Sequence, residues 1–388
     1  MASTSASAGA LLHHVRTGRA RSRAELVALT GAARNTVSAR VDQLITAGLL
    51  EEGGRGWSTG GRPPKLLRFN NRAGCVLAVD LGVTSVDVAV TDLSAQVIAS
   101  AGHAIDIAEG PGPVLAEADR LAQRVLEEAG LSAGDVRAVG VGVPGPVEFS
   151  TGRPSHPPIM PGWHDHPIPH AFRRYDCPVF VDNDVNVMAL GEMGIAGSDQ
   201  DVLVVKVGTG IGCGVIVEGA VYRGAQGSAG DIGHIHVAQP DGREVLCRCG
   251  NVNCLEALAG GGALLRDALA AGLPVQTTRD VIELAAQGDG RALELVRAAG
   301  RTIGTVLAAL VNFFNPHRIV MTGGVAQAGI PLLAGIREAV YRRSMPLAAR
   351  SLEITVSAAP DLSGRVGAAL MAVEGFLDED SVDQALAR

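Results

Sequence analysis

Along residues 1–72, apolar positions recur at helical spacing in three short runs. Leu11, Leu12 and Val15 form one face, and Ser22-Arg-Ala-Glu25 reads as a capping box that opens a second helix stopped by Thr30-Gly31. A third helix, from about Arg34 to Ala47, places Val37, Val41, Leu44 and Ile45 inward and leaves Arg34, Asn35, Thr36, Ser38 and Arg40 outward. Glu51 to Leu67 then predicts a β-hairpin with its tip at Gly53-Gly54-Arg55-Gly56. Helix, turn, helix and hairpin in this order make a winged helix-turn-helix, and the outward residues are of the types that touch bases and phosphates.

After Arg72 the period changes. Cys75 to Val90 reads as two strands joined by the polar turn Asp80-Leu-Gly82-Val-Thr84-Ser85, and Val202 to Val217 repeats the plan around Gly208-Thr209-Gly210-Ile211-Gly212. A third glycine turn, Thr322-Gly323-Gly324, follows a long helix of about Ala292 to Phe313 and a strand. The pattern predicts two similar α/β halves facing a cleft, with turns that bring backbone N–H groups toward an anion. One glycine turn alone is ordinary structure.

The chain has 388 residues, enough for two or three domains, and 47% hydrophobic with 19% charged residues excludes a disordered chain. The most apolar stretch, Val202 to Val217, is interrupted by Lys206 and glycines and does not read as a membrane span. Met1 to Ala10 lacks a basic start and an apolar core, so a cytoplasmic protein without a secretory leader is expected. Charge changes the picture more. Residues 1–72 hold 11 Lys+Arg against 4 Asp+Glu, and the remainder holds 22 against 36. A basic head on an acidic body suggests an anionic partner for the head, most simply DNA; a solvated basic face and a protein-docking module are the alternatives. Within Gly60-Gly61-Arg62-Pro63-Pro64-Lys65 the prolines hold the chain extended, so Arg62 is placed either in a minor groove or on a stiff interdomain linker.

The most specific chemical signal is His234 followed by Cys247-Arg-Cys249 and Cys254. One imidazole and three thiolates form a closed tetrahedral set suited to a structural Zn2+, with reduced, free cysteines as the alternative. His156, His164, His166 and His170 surround a proline-rich loop without a thiol or carboxylate cluster and are not read as metal ligands. Trp163 in that loop is either an apolar platform over a ligand or a packing residue.

Taken together, these motifs resemble the ROK family of bacterial sugar kinases and sugar-responsive regulators. The resemblance implies an α/β, two-subdomain actin-like sugar kinase fold behind an N-terminal winged helix-turn-helix of residues 1–72. Subdomain one would span about 73–185 plus a C-terminal helix of about 364–388, and subdomain two about 186–363. It also implies a first phosphate motif at Asp80, Gly82 and Thr84, a second at Thr209 and Gly210, and an adenosine motif at Gly323 and Gly324. Gly145, Asn183, Asp184, Asp231, His234 and Glu256 would face the sugar, with Asp184 the base in a kinase, although Asn183 and Asp184 also read as a strand-to-helix cap. Three departures weaken phosphoryl transfer: Ser85 where the kinases have Lys, Asp231 where they have Glu, and Cys213 where Gly is common. The resulting expectation is a repressor, a homodimer or dimer of dimers on an inverted-repeat operator, that senses a sugar or sugar phosphate and carries Zn2+. The runner-up is a sugar kinase using ATP and Mg2+ that carries a DNA-binding head, and a purely partner-binding protein is the third class.

Overall fold

The computed structural model describes residues 6–55, 65–197, 200–239 and 242–387. The head comprises α1 (Ala8–Arg16), α2 (Arg23–Thr30), α3 (Arg34–Thr46), β1 (Leu50–Arg55) and β2 (Lys65–Phe69). Ser22 caps α2 by accepting from the Glu25 N–H, and the Glu25 carboxylate accepts from the Arg21 N–H at 2.7 Å, one residue ahead of the cap. Helix α3 buries Val37, Val41 and Leu44, while Ser38 is half-buried and not fully outward as its spacing predicts.

The hairpin departs from expectation in an instructive way. Leu50 pairs with Phe69, Glu52 with Leu67 and Arg55 with Lys65, with an irregularity between Glu52 and Arg55. Gly53 and Gly54 therefore interrupt the register of β1 and are not the tip, because the residues on either side still find cross-strand partners. The connection between the strands is residues 56–64. Arg62 lies outside the described residues, but its segment joins β1 to β2 and does not link head to body.

The body continues with β3 (Cys75–Leu81), β4 (Ser85–Asp92), β5 (Val97–Ala104), α4 (Pro111–Glu128), β6 (Val136–Val143), β7 (Val147–Glu148), β8 (Arg153–Pro154), β9 (Val179–Asn183) and α5 (Asp184–Ala196). Next come β10 (Val202–Val207), β11 (Ile211–Val217), β12 (Ala220–Val221), α6 (Leu255–Ala259), α7 (Gly261–Ala270), α8 (Thr278–Ala286), α9 (Gly290–Phe314) and β13 (Arg318–Thr322). The chain closes with α10 (Ile330–Arg343), α11 (Pro346–Ala349), β14 (Glu353–Val356), α12 (Pro360–Phe376) and α13 (Glu379–Leu386). Two five-stranded sheets share one plan: β5-β4-β3-β6-β9 and β12-β11-β10-β13-β14. In each, the first three strands are antiparallel and the last two run parallel to the central one.

Period-two alternation decides what covers each face. In the first sheet Leu77, Val79, Val88, Val90, Val139 and Val141 join the core beneath α4. The opposite face presents Ala78 and Ala89, which pack with Ala368 and Ala369 of α12. Small residues on both sides let the helix lie close to the sheet. In the second sheet Leu203, Val205 and Val207 meet the α9 and α10 core, whereas Val202, Val204 and Ile216 pack with Ala189 of α5. Helices α5 and α12 pack on each other, so they form a central layer between the sheets.

The C-terminal stretch also serves the head. Val373, Leu377 and Val382 share a core with Leu11, Leu12, Leu26 and Leu44. A Cβ on Gly9 would overlap the Glu379 backbone, so α1 rests directly on the start of α13. The Gly9 N–H donates to Asp383 at 3.1 Å, and Arg16 pairs with Glu374 at 2.6 Å. Among the described residues, no helix is long and apolar enough to cross a membrane.

Candidate functional site

Asp80 is the penultimate residue of the first sheet's central strand, just ahead of the turn carrying Gly82 and Thr84. The turn is closed by a Gly82 N–H bond to the Ser85 carbonyl at 2.8 Å, and Thr84 is exposed. A Cβ on Gly364 would overlap the Asp80 carboxylate, so that glycine lets α12 pass directly behind it. Enclosure by protein pushes the Asp80 carboxyl up to about 6, although the Lys206 charge acts the other way. The counterpart turn between β10 and β11 places Thr209 outward, and the Gly208 carbonyl accepts from the Gly261 N–H. Gly323 and Gly324 follow β13, with Gly323 at φ 88° against the Val207 carbonyl.

Asn183 is the N-cap of α5: its Oδ1 accepts from the Val185 N–H at 3.0 Å, while its Nδ2 donates to the Gly145 carbonyl at 2.8 Å. Asp184, the first residue of α5, is buried, and its Oδ2 lies 2.5 Å from Lys206 Nζ. Burial works against the Lys206 charge, but Asp184 and then Asp80 outweigh it and hold the ammonium above its ordinary pKa. Beside them Asp182 accepts from Arg223 at 2.7 Å and from Asn186 at 2.9 Å, while Arg223 stacks on Phe149.

The second group gathers at the turn between β10 and β11, where a Cβ on Gly210 would meet the Glu256 carboxylate. Glu256 opens α6, and its carboxylate accepts from the Ile211 N–H at 3.2 Å. Burial raises its pKa, with His234 acting against the rise. His234 and Asp231 lie 4.0 Å apart, and Asp231 is exposed. His234 Nδ1 is 3.7 Å from Cys247 Sγ, Cys249 and Cys254 sulfurs are 3.6 Å apart, and the four ligand atoms lie within 4.8 Å of one another. Burial first, then the neighbouring thiols, push Cys254 up to about 12. Burial also opposes ionisation of Cys249, yet the Asn251 N–H and the other thiols hold it below its usual value.

On the head, Arg34, Asn35, Thr36 and Arg40 are exposed along α3. Arg23 is held by Asp42 at 2.7 Å and Glu52 at 2.8 Å, whereas Arg34 has no ion-pair partner among the described residues. Trp163 is fully buried, and its Nε1–H donates to the Ile107 carbonyl at 3.0 Å. It is therefore a core residue and not a platform over a ligand.

The ROK family model matches residues 76–374, most of the chain and every site residue of the body described above, but not the head. The chain belongs to the ROK family. A xylose repressor of Bacillus spizizenii is 30% identical over 363 residues, covering 92% of each chain. The crystal structure of a ROK family transcriptional regulator, a homologue of the E. coli MLC protein, superposes with a TM-score of 0.81 at 25% identity and 98% coverage of each chain. A ROK glucokinase from Streptomyces griseus, solved with glucose and AMPPNP, gives a TM-score of 0.68 at 28% identity over 78% of this chain and 100% of its own. Relative to this ROK framework, sequence reasoning missed Lys206 and the Asp182–Arg223 pair. A single Lys near the end of a valine-rich strand was the available signal for the first.

Proposed function

We propose that the protein is a DNA-binding repressor whose cleft binds a sugar and whose head is released from or set on its operator accordingly. The observation that carries this reading is the physical union of the head with the helix that runs behind Asp80. Helix α12 passes behind Asp80 at Gly364, and ten residues further along it its Glu374 pairs with Arg16 of α1. Full-length similarity to a xylose repressor supports it, whereas the glucokinase is covered completely by only 78% of this chain.

In this reading Asn183, Asp184, Asp231, His234 and Glu256 supply the paired hydrogen bonds that sugar hydroxyls demand, with Gly145 fixing the Asn183 amide. His234, Cys247, Cys249 and Cys254 would hold Zn2+. Metal bonds of ~2.3 Å to sulfur in a tetrahedron give sulfur separations of about 3.8 Å, and the Cys249–Cys254 distance of 3.6 Å fits. The metal would tie together the loop that presents His234 and Glu256. Arg34, Asn35, Thr36, Ser38 and Arg40 would face the major groove, Arg62 would enter the minor groove, and a homodimer would read an inverted repeat. The phosphate-type turns at Asp80, Gly82, Thr84, Thr209, Gly210, Gly323 and Gly324 would be retained as the walls of a closing cleft, and little or no kinase activity is expected.

Binding of the full-length protein to duplexes selected from a random-sequence pool tests the reading. Enrichment of an inverted repeat, with affinity changed at least tenfold by one sugar from a panel, is the expected result. Absence of any selected site, or turnover of ATP with a hexose at about 1–1,000 per second, would overturn it.

A further inference from the structure

Asp80 and Lys206 are the penultimate residues of β3 and β10, the central strands of sheets with the same order. The repeated architecture thus puts opposite charges at equivalent positions, and the two lie close enough for each to shift the ionisation of the other. Lys206 completes the arrangement by pairing with Asp184 at 2.5 Å, where the two side chains are 21% and 6% exposed. Asp184 accordingly has one carboxylate oxygen committed to an ammonium.

A magnesium nucleotide needs carboxylate oxygens with free lone pairs and room for the metal's own waters. Here a cation already stands at the acidic end of the cleft, and a divalent ion placed there would meet its repulsion. The residues present do not fit that cofactor. Neither do they form an anion site. Asp80, Asp87 and Asp184 outnumber Lys206 and Arg365 in this group, so the buried Arg365 Nε–H, which lacks a partner among the described residues, lies among excess carboxylates, and Arg223 is held by Asp182. A phosphate ester entering here would face a surplus of negative charge.

We propose that Lys206 is the resident counter-cation of the cleft, which makes the site a receptor for an uncharged sugar and closes it to magnesium nucleotides and sugar phosphates. The assignment rests on the sugar-sensor reading above and narrows its ligand class.

The test uses the full-length protein with Lys206→Met and Lys206→Gln, the second preserving a polar side chain should the first fail to fold. Calorimetry and thermal shift would follow Mn2+, Mg2+–AMPPNP, the aldoses xylose, glucose and N-acetylglucosamine, and the phosphate ester of each. The wild type is expected to bind at least one aldose at least tenfold more tightly than its ester, with no response to Mn2+ or Mg2+–AMPPNP at millimolar concentration. A variant that folds, by circular dichroism, should bind Mn2+ at least tenfold more tightly than the wild type. Equal or tighter wild-type binding of Mg2+–AMPPNP or of an ester overturns the proposal, as does unchanged Mn2+ affinity in a folded variant. Operator binding measured alongside separates the two ideas. A sugar that binds without altering DNA affinity sinks the sensor reading, whereas intact sugar control of DNA with unchanged Mn2+ affinity sinks only the role given to Lys206.

Discussion

The two sheets of the body share a strand order but differ in what they carry. The first covers one face with α4 and the other with α12, and its central strand has a carboxylate, Asp80, next to last. The second rests on α9, α10 and α5, carries the His–Cys loop, and has an ammonium, Lys206, next to last on its central strand. Repetition of a fold supplies two equivalent walls, and the side chains at matched positions decide whether the space between them attracts or excludes a charged ligand.

The largest effect is expected from breaking the feature that only the second half possesses. Cys249→Ser should abolish metal content, weaken sugar binding through the displaced Glu256, and lower stability by more than either Asp184→Asn or Glu374→Ala, measured by metal analysis and urea unfolding. Equal stability and sugar affinity in a metal-free protein would remove the loop from the site.

Next comes the charge bridge. Asp184→Asn leaves the Lys206 ammonium enclosed with less compensation and should cost about 3 kcal/mol, with the loss largely recovered in the double variant with Lys206→Met. Additive losses in that cycle would show that the two residues do not act as a pair.

Asp80 sharpens the comparison from the other half. Its pKa is raised to about 6, so the folded state prefers the protonated carboxyl. Its stabilising contribution is complete below the ordinary carboxyl range and is lost as pH rises through about 6. Asp80→Asn should therefore be more stable than the wild type at pH 7.5 by about 1–3 kcal/mol and nearly equal to it at pH 4. A difference independent of pH would refute the cause given.

The smallest effect concerns the joint that both halves share with the head. The Arg16–Glu374 pair is half in solvent, so Glu374→Ala should change stability by under about 1 kcal/mol while altering the factor by which sugar changes DNA affinity. An unchanged factor would place the coupling elsewhere along α12.

Local signals made most of this architecture legible. The helix spacing of Val37, Val41 and Leu44, the glycine turns after Asp80 and Val207, and the His–Cys spacing each depend on a few neighbouring residues. What escaped depends on distant ones. Lys206 looked like an interruption in an apolar run because its partner, Asp184, lies on another element. Gly53-Gly54 looked like a turn because the strand that continues to pair across it starts only at Lys65. Trp163 could be read as a platform or as a packing residue, and what decides for packing is the Ile107 carbonyl, far earlier in the chain, which receives its N–H. The clamp of α13 on α1 has no local signature at all.

That clamp has a consequence for how the protein is made. Gly9 bonds to Asp383 across 374 positions, and the hydrophobic core of the head includes Val373, Leu377 and Val382. During synthesis at ~5–20 residues per second, α1 emerges long before the residues it rests on and waits on the order of 20–80 seconds for them. The core of the head is therefore completed only after the body behind it has been translated, and a nascent or prematurely terminated chain lacks the part of that core which Val373, Leu377 and Val382 supply.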